Sequence, residues 1–152
     1  MNISRLNLSH YPSFITTKTF NNYPFFKKPD NVEILISCIY FGRTNNWFDL
    51  IAFVVMPDHL HLIVVPKDKN ISQVMHSVKS FSSKEINKIN KENGNVWQSS
   101  FRDFTISTKS VLFEKVNYIH NNPVKKGIVA DAGLYEFSSA NSIYETDILK
   151  IL

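Results

Sequence analysis

Val54-Val55-Met56-Pro57-Asp58-His59-Leu60-His61-Leu62-Ile63-Val64-Val65 holds two apolar runs on either side of Pro57-Asp58. Pro followed by Asp is a turn signal, so the stretch reads as a β-hairpin whose second strand opens on His59-Leu60-His61. Side chains at i and i+2 of a strand share a face. His59 and His61 therefore point the same way, and Leu60 points into the opposite layer. Two imidazoles side by side on a rigid strand can grip one metal ion, and nothing about packing requires two histidines there.

Upstream of the turn, residues 48–56 are apolar apart from Asp49, which reads as a strand covered on both faces. Before it, Pro29-Asp30 opens a helix with Asp30 and Glu33 spaced as a capping box. Val32, Leu35, Ile36 and Ile39 form its buried stripe, Gly42 is its expected stop, and Cys38 is expected to fill core. Residues 13–20, rich in Phe, Ile and Thr, read as the first strand, after an irregular lead-in over residues 1–11.

Downstream of the hairpin, Lys67-Asp68-Lys69 is a loop, and Asn70 with Gln73 forms a capping box for a helix reaching to about Glu92. Ile71, Val74, Met75, Val78 and Ile89 are its expected inner side, and Lys84, Lys88 and Lys91 its outer one, at ~100° per residue. A strand lies within residues 96–106, with Trp97-Gln98 at its start. A last helix spans residues 109–121 with Leu112, Val116 and Ile119 inside, and Pro123 disfavours helical geometry at Asn122. The tail over residues 123–152 shows no strong period.

The order β-α-β-β-α-β-α predicts an α+β sandwich with helices packed on one face of a mainly antiparallel sheet. Its first six elements match the ferredoxin-like split βαβ arrangement, which puts the histidine strand near the sheet centre. At 152 residues, 43% of them hydrophobic, the chain is expected to be one globular domain over 1–152, with a core at about 13–122. Its net charge of +4 suits a polyanion such as nucleic acid without requiring one. Cys38 stands alone, which excludes an internal disulfide and suits a reducing compartment. Met1-Asn2-Ile3-Ser4-Arg5 leads into no apolar run of signal or membrane-span length, so the expected location is cytoplasmic, away from membranes.

Tyr118 and Asn122 are i, i+4 neighbours on the last helix, turned roughly 100° from its apolar stripe. With His59-Leu60-His61 as a His-hydrophobic-His signature, the run Tyr118-Ile119-His120-Asn121-Asn122-Pro123-Val124 resembles the tyrosine helix of single-tyrosine HUH transposases. The match is to the REP-associated tyrosine transposases and related insertion-sequence transposases. It also takes in Met56 to Leu62, Trp97-Gln98, Phe101 and Asp103. Asp58 departs from the pattern, since such proteins often carry Asn there, and it adds a charge beside the imidazoles.

The resemblance implies a DNA transposase that cleaves and rejoins single-stranded DNA through a 5′-phosphotyrosine link. Tyr118 would be the nucleophile, and His59, His61 and Asn122 would be ligands of a divalent metal ion, Mg²⁺ or Mn²⁺. It also implies a partner of single-stranded DNA with hairpin-forming repeat ends, and it leaves a homodimer open. Lys84, Lys88, Lys91 and Arg102 are candidate DNA contacts, although a lysine face is as readily a solvated one. His10, His76 and His120 take a structural or solvent role. The histidine-triad hydrolases need a third histidine where Ile63 stands, and the two-histidine phosphoesterases need His-x-Thr/Ser pairs that are absent. A catalytically silent hairpin-binding protein derived from a transposase is the remaining alternative, and a covalent protein–DNA adduct would separate the two.

Overall fold

Pro57 and Asp58 form the turn of a hairpin between β2 (Phe48–Met56) and β3 (His59–Pro66), as the two apolar runs require. The computed structural model describes Arg5, Leu6, Leu8 and residues 10–152; the expectations for Met1 to Ser4 lie outside the described residues. β1 (Ser13–Lys18) and β4 (Arg102–Thr105) complete a four-stranded antiparallel sheet in the order β2-β3-β1-β4. That is the split βαβ order, and it places β3 inside the sheet between β2 and β1.

Two apolar layers cover the sheet. Leu60, Leu62 and Val64 point to one face, where Val32, Leu35 and Ile39 of α1 (Pro29–Thr44) meet Val74, Met75 and Val78 of α2 (Ile71–Asn90). His59, His61, Ile63 and Val65 alternate onto the other face, beside Leu112, Val116 and Ile119 of α3 (Lys109–Lys125). So the expectation of helices on one face holds for α1 and α2, the helices of the split βαβ unit. The added seventh element takes the opposite face. The continuous apolar run of β2 demands this, since a strand buried on both sides needs a cover on both. A bulge at Ile51, between the pairs Leu50↔Val64 and Ala52↔Ile63, leaves Ile51 and Ala52 in the same layer and brings Val54 and Met56 to the α3 side.

Local departures from the sequence reading have physical causes. In α1, Pro29 takes the first helical position and Lys28 the cap, so the Asp30–Glu33 box does not form and Asp30 sits in the first turn, where the helix dipole favours it. Gly42 does not end α1. A Cβ there would lie 2.6 Å from the Phe48 ring, so glycine serves the close approach of α1 to β2. Cys38 is only half-buried, and burial followed by the nearby Glu85 pushes its thiol up to about 11. The Asn70–Gln73 capping box forms as expected. On α2 the inner side runs on from Val74, Met75 and Val78 through Ser82 and Ile86, and Ile89 is exposed. Ser82 is tolerated there because its Oγ accepts from Trp97 Nε1 at 2.9 Å. Trp97 precedes β4 as core, joined to Thr19 by an isolated bridge.

α3 is capped by Thr108 and runs through Pro123 to Lys125 instead of ending at Asn121. Pro123 forfeits one helical bond, the one its missing N–H would make to the Ile119 carbonyl, and only Val124 and Lys125 follow it in the helix; the residue is buried. The aperiodic tail is ordered by backbone pairing. It runs along the outer edge of β2, with Val55 N donating to Phe137 O at 2.8 Å and Ser139 N to Phe53 O at 3.0 Å. Asp147 closes the strip by accepting from Leu50 N and from Arg43 Nε, both at 2.9 Å. A bare strand edge invites pairing with other chains, and this strip removes it. Among the described residues, no helix is long and apolar enough to cross a membrane.

Candidate active site

Antiparallel register builds one wall of the site. Thr16 lies directly opposite His61, and Lys18 opposite His59. Thr16 Oγ1 is 2.9 Å from His61 Nδ1. The Asp58 carboxylate lies 2.7 Å from His59 Nδ1 and can only accept, so that nitrogen carries the hydrogen. In both rings Nδ1 is engaged and Nε2 is left over. Partners of this kind fix the ring and tautomer of metal-binding histidines. The two rings lie 4.7 Å apart, steeply inclined. His61 is 5% exposed and stacks on Phe14 at 5.5 Å. Burial, then the neighbouring His59, push its imidazole down to about 3, so it is neutral and able to act as a ligand.

α3 supplies the opposite wall. Because the helix continues through Pro123, Asn122 keeps its i+4 relation to Tyr118. The Tyr118 ring meets His61 edge-on at 5.3 Å and Phe14 at 5.9 Å, and the residue is 45% exposed. Asn122 is 4% exposed, and its Oδ1 is buried with no hydrogen-bond partner. A buried acceptor left unpaired costs about 1–3 kcal/mol. A cation satisfies such an oxygen without a hydrogen bond. His59, His61 and Asn122 can hold a divalent ion through two imidazole nitrogens and one amide oxygen. Among the described residues, no three His, Cys, Asp or Glu side chains converge as an alternative ligand set.

These residues face a cleft of about 1340 Å³. Its basic groups are Lys18, Arg102, Lys115 and Lys126, and its acids are Asp58 and Asp103. The Lys115 ammonium sits over Phe14 at 5.3 Å and Phe104 at 5.2 Å, a cation–π setting that holds it in place. The structure therefore brings together Tyr118, His59, His61, Asn122 and Arg102. Lys84, Lys88 and Lys91 ride on α2, across the sheet from the histidines, and Lys84 lines a separate hollow with Lys79 and Trp97. His10 and His76 are exposed, and His120 Nε2 pairs with Ser139 Oγ at 2.8 Å. The sequence reading passed over Lys115 and Lys126. Both lie on the helical stripe of Tyr118 and Asn122, at 115, 118, 122 and 126, a pattern hidden once the helix is ended before Pro123. Thr16 and Lys18 depend on strand register, which no local spacing prints.

Residues 10–122 match the family model described as "Transposase IS200 like". A protein of Haemophilus influenzae (strain ATCC 51907 / DSM 11121 / KW20 / Rd) named "Putative REP-associated tyrosine transposase" is 28% identical over 113 residues. The match covers 66% of this chain and 64% of that protein, less than two thirds of its length. A solved structure described as a REP-associated tyrosine transposase bound to a REP hairpin superposes with a TM-score of 0.72. It is 24% identical, and the superposition covers 97% of this chain and 93% of that one, which shows a shared fold.

Proposed function

The chain belongs to the IS200-like transposase family, and from that membership we propose that it cleaves and rejoins single-stranded DNA with Tyr118 as the nucleophile. The observation that carries the reading is the meeting, in one basic cleft, of a half-exposed tyrosine, a neutral buried imidazole and an orphaned amide oxygen. Each is costly or idle as packing, and together they form the parts of a phosphoryl-transfer site.

The step balances as a transesterification. Tyr118 Oη bonds to a backbone phosphorus as the bond from phosphorus to the 3′ oxygen breaks. The phenolic proton leaves, the departing 3′ oxygen gains one, and a 5′-phosphotyrosine remains. Attack by a 3′-hydroxyl on that link reverses the step and joins strands with no energy source, because one phosphodiester replaces another. His59, His61 and Asn122 would hold the divalent ion, which when bound supplies charge neutralisation at the phosphate. Thr16 and Asp58 keep the two imidazoles in place. Phe14 packs against both the His61 and Tyr118 rings and fixes their spacing. Lys115 and Arg102 stand where a DNA backbone entering the cleft needs counter-charge.

A hairpin beside the cleaved strand is part of the reading. It is supported by the hairpin named in the description of the similar solved structure. The test is to incubate the protein with end-labelled single-stranded oligonucleotides, carrying hairpins from the DNA flanking the gene, and Mn²⁺. A covalent adduct that survives denaturation is expected from the wild type and not from Tyr118→Phe, while hairpin binding is kept. An adduct of equal yield in the Phe variant rejects Tyr118. Binding without an adduct under any metal moves the protein to the silent, hairpin-binding alternative.

A further inference from the structure

The loop joining β1 to α1 carries a feature that the strand-transfer chemistry leaves unused. Asn21 and Asn22 both sit at φ 55°, in the left-handed region that non-glycine residues seldom enter. This double turn leaves Phe20 41% exposed and Tyr23 61% exposed. The loop is pinned nonetheless. Thr19 N donates to Asp58 O at 3.0 Å, Phe20 N to Val96 O at 2.8 Å and Phe26 N to Pro57 O at 3.0 Å. The buried Phe26 ring packs on Trp97 at 5.2 Å, and Tyr23 is held edge-on by Phe25 at 4.8 Å. Backbone strain and exposed rings on an immobilised turn add nothing to the core, and such combinations gather at ligand sites.

The same loop is a partition. Asn22 and Pro24 line the histidine–tyrosine cleft. Phe20, Tyr23 and Pro24 line a second hollow of about 750 Å³ on the far side. Its other walls include Lys27, Lys28, the asparagines 87, 93 and 95, and one carboxylate, Glu92. Ring faces stack on any base, side-chain amides pair with base edges, and lysines meet backbone phosphates. That set matches an unpaired nucleotide.

We propose that the Phe20–Pro24 partition, with the hollow behind it, binds an unpaired base of the DNA strand that crosses the catalytic cleft, stacking it on Tyr23 and Phe20. The proposal rests on the strand-cleavage reading above. The partition hangs by hydrogen bonds from Pro57 and Asp58, and Asp58 also orients His59. A base seated there sets which phosphate of the strand lies before Tyr118, so the partition governs where the strand is cut.

The test uses the full chain carrying Tyr118→Phe, which separates binding from cleavage. Hairpin oligonucleotides with a single-stranded tail carry 2-aminopurine at successive tail positions, and emission is read on titration with protein. Quenching at one position is expected, as a stacked base loses its fluorescence. Adding Tyr23→Ala is expected to abolish that quenching and weaken binding roughly tenfold, whereas Tyr23→Phe keeps both. Melting curves identify any variant that fails to fold, and Phe20→Ala is the second, independent probe. Intact binding with the same quenching in Tyr23→Ala and Phe20→Ala overturns the partition and leaves strand cleavage standing. No binding of any oligonucleotide by the Tyr118→Phe chain strikes the strand-cleavage reading itself, and the partition falls with it.

Discussion

Asn122 shows how a single residue can trade stability for function. Its buried, unpartnered Oδ1 costs the fold about 1–3 kcal/mol when no ligand is bound. An apolar side chain of similar size removes that penalty. Asn122→Leu is therefore expected to raise the free energy of unfolding by about 1 kcal/mol, read from urea denaturation, while Mn²⁺ affinity by calorimetry falls at least tenfold. A variant that is less stable and binds Mn²⁺ as before would show that Asn122 is a packing residue. His59→Ala tests the other side of the same donor set, and His59 can be removed with less disturbance than His61, which is buried and stacked on Phe14. Loss of Mn²⁺ affinity with an unchanged melting temperature is expected. Imidazole donors favour later first-row ions over Mg²⁺, so Mn²⁺ is the better probe.

At the scale of elements, the histidine hairpin and the capped helix α2 were legible because periodicity and turn chemistry speak locally. The end of α3 was not. Pro123 is a breaker by local rule, yet it is buried and the helix continues through it to Lys125, carrying Lys126 beside Asn122. The tail over residues 135–147 was illegible for another reason, since its order comes from pairing with the edge of β2 and not from any period of its own. Asp147 makes that pairing testable. Burial alone would raise its carboxyl, but the Arg43 guanidinium and the Leu50 N–H more than offset this and hold it at about 2, against an ordinary 3.8. The folded value lies below the unfolded one, so the contribution is complete above the ordinary value and is lost as pH falls towards about 2. Asp147→Asn is expected to destabilise the protein by about 1–2 kcal/mol at neutral pH, with the gap to wild type closing between about pH 5 and pH 2. A gap that is constant with pH in thermal melts would mean that Asp147 acts through its backbone or volume, not its charge.

On the scale of the whole molecule, the sheet separates two basic regions that a count of lysines merges. Lys18, Arg102, Lys115 and Lys126 converge on the tyrosine cleft from β1, β4, α3 and its C-terminal end. Lys84, Lys88 and Lys91 lie along α2 behind the sheet. The sequence could show the +4 surplus and the lysine face of α2, but the cleft set comes from three distant segments, β1, β4 and α3, that only the fold gathers. A hairpin-free single strand that enters the cleft should report on the first set. Removing one lysine from a DNA phosphate lowers the slope of log affinity against log salt by about 0.7 for single strands. Replacing Lys18, Lys115 and Lys126 together by Ala is therefore expected to flatten the slope by about 2. Replacing Lys84, Lys88 and Lys91 removes the same charge from the far side and controls for net charge, so it should flatten the slope by much less on this substrate. Perfect duplex should be cleaved far more slowly than single strand by the wild type, because a stiff helix cannot bring one phosphate between β3 and α3. Equal flattening by the two triple variants would place the strand on both faces or on neither, and would remove the cleft as the seat of binding.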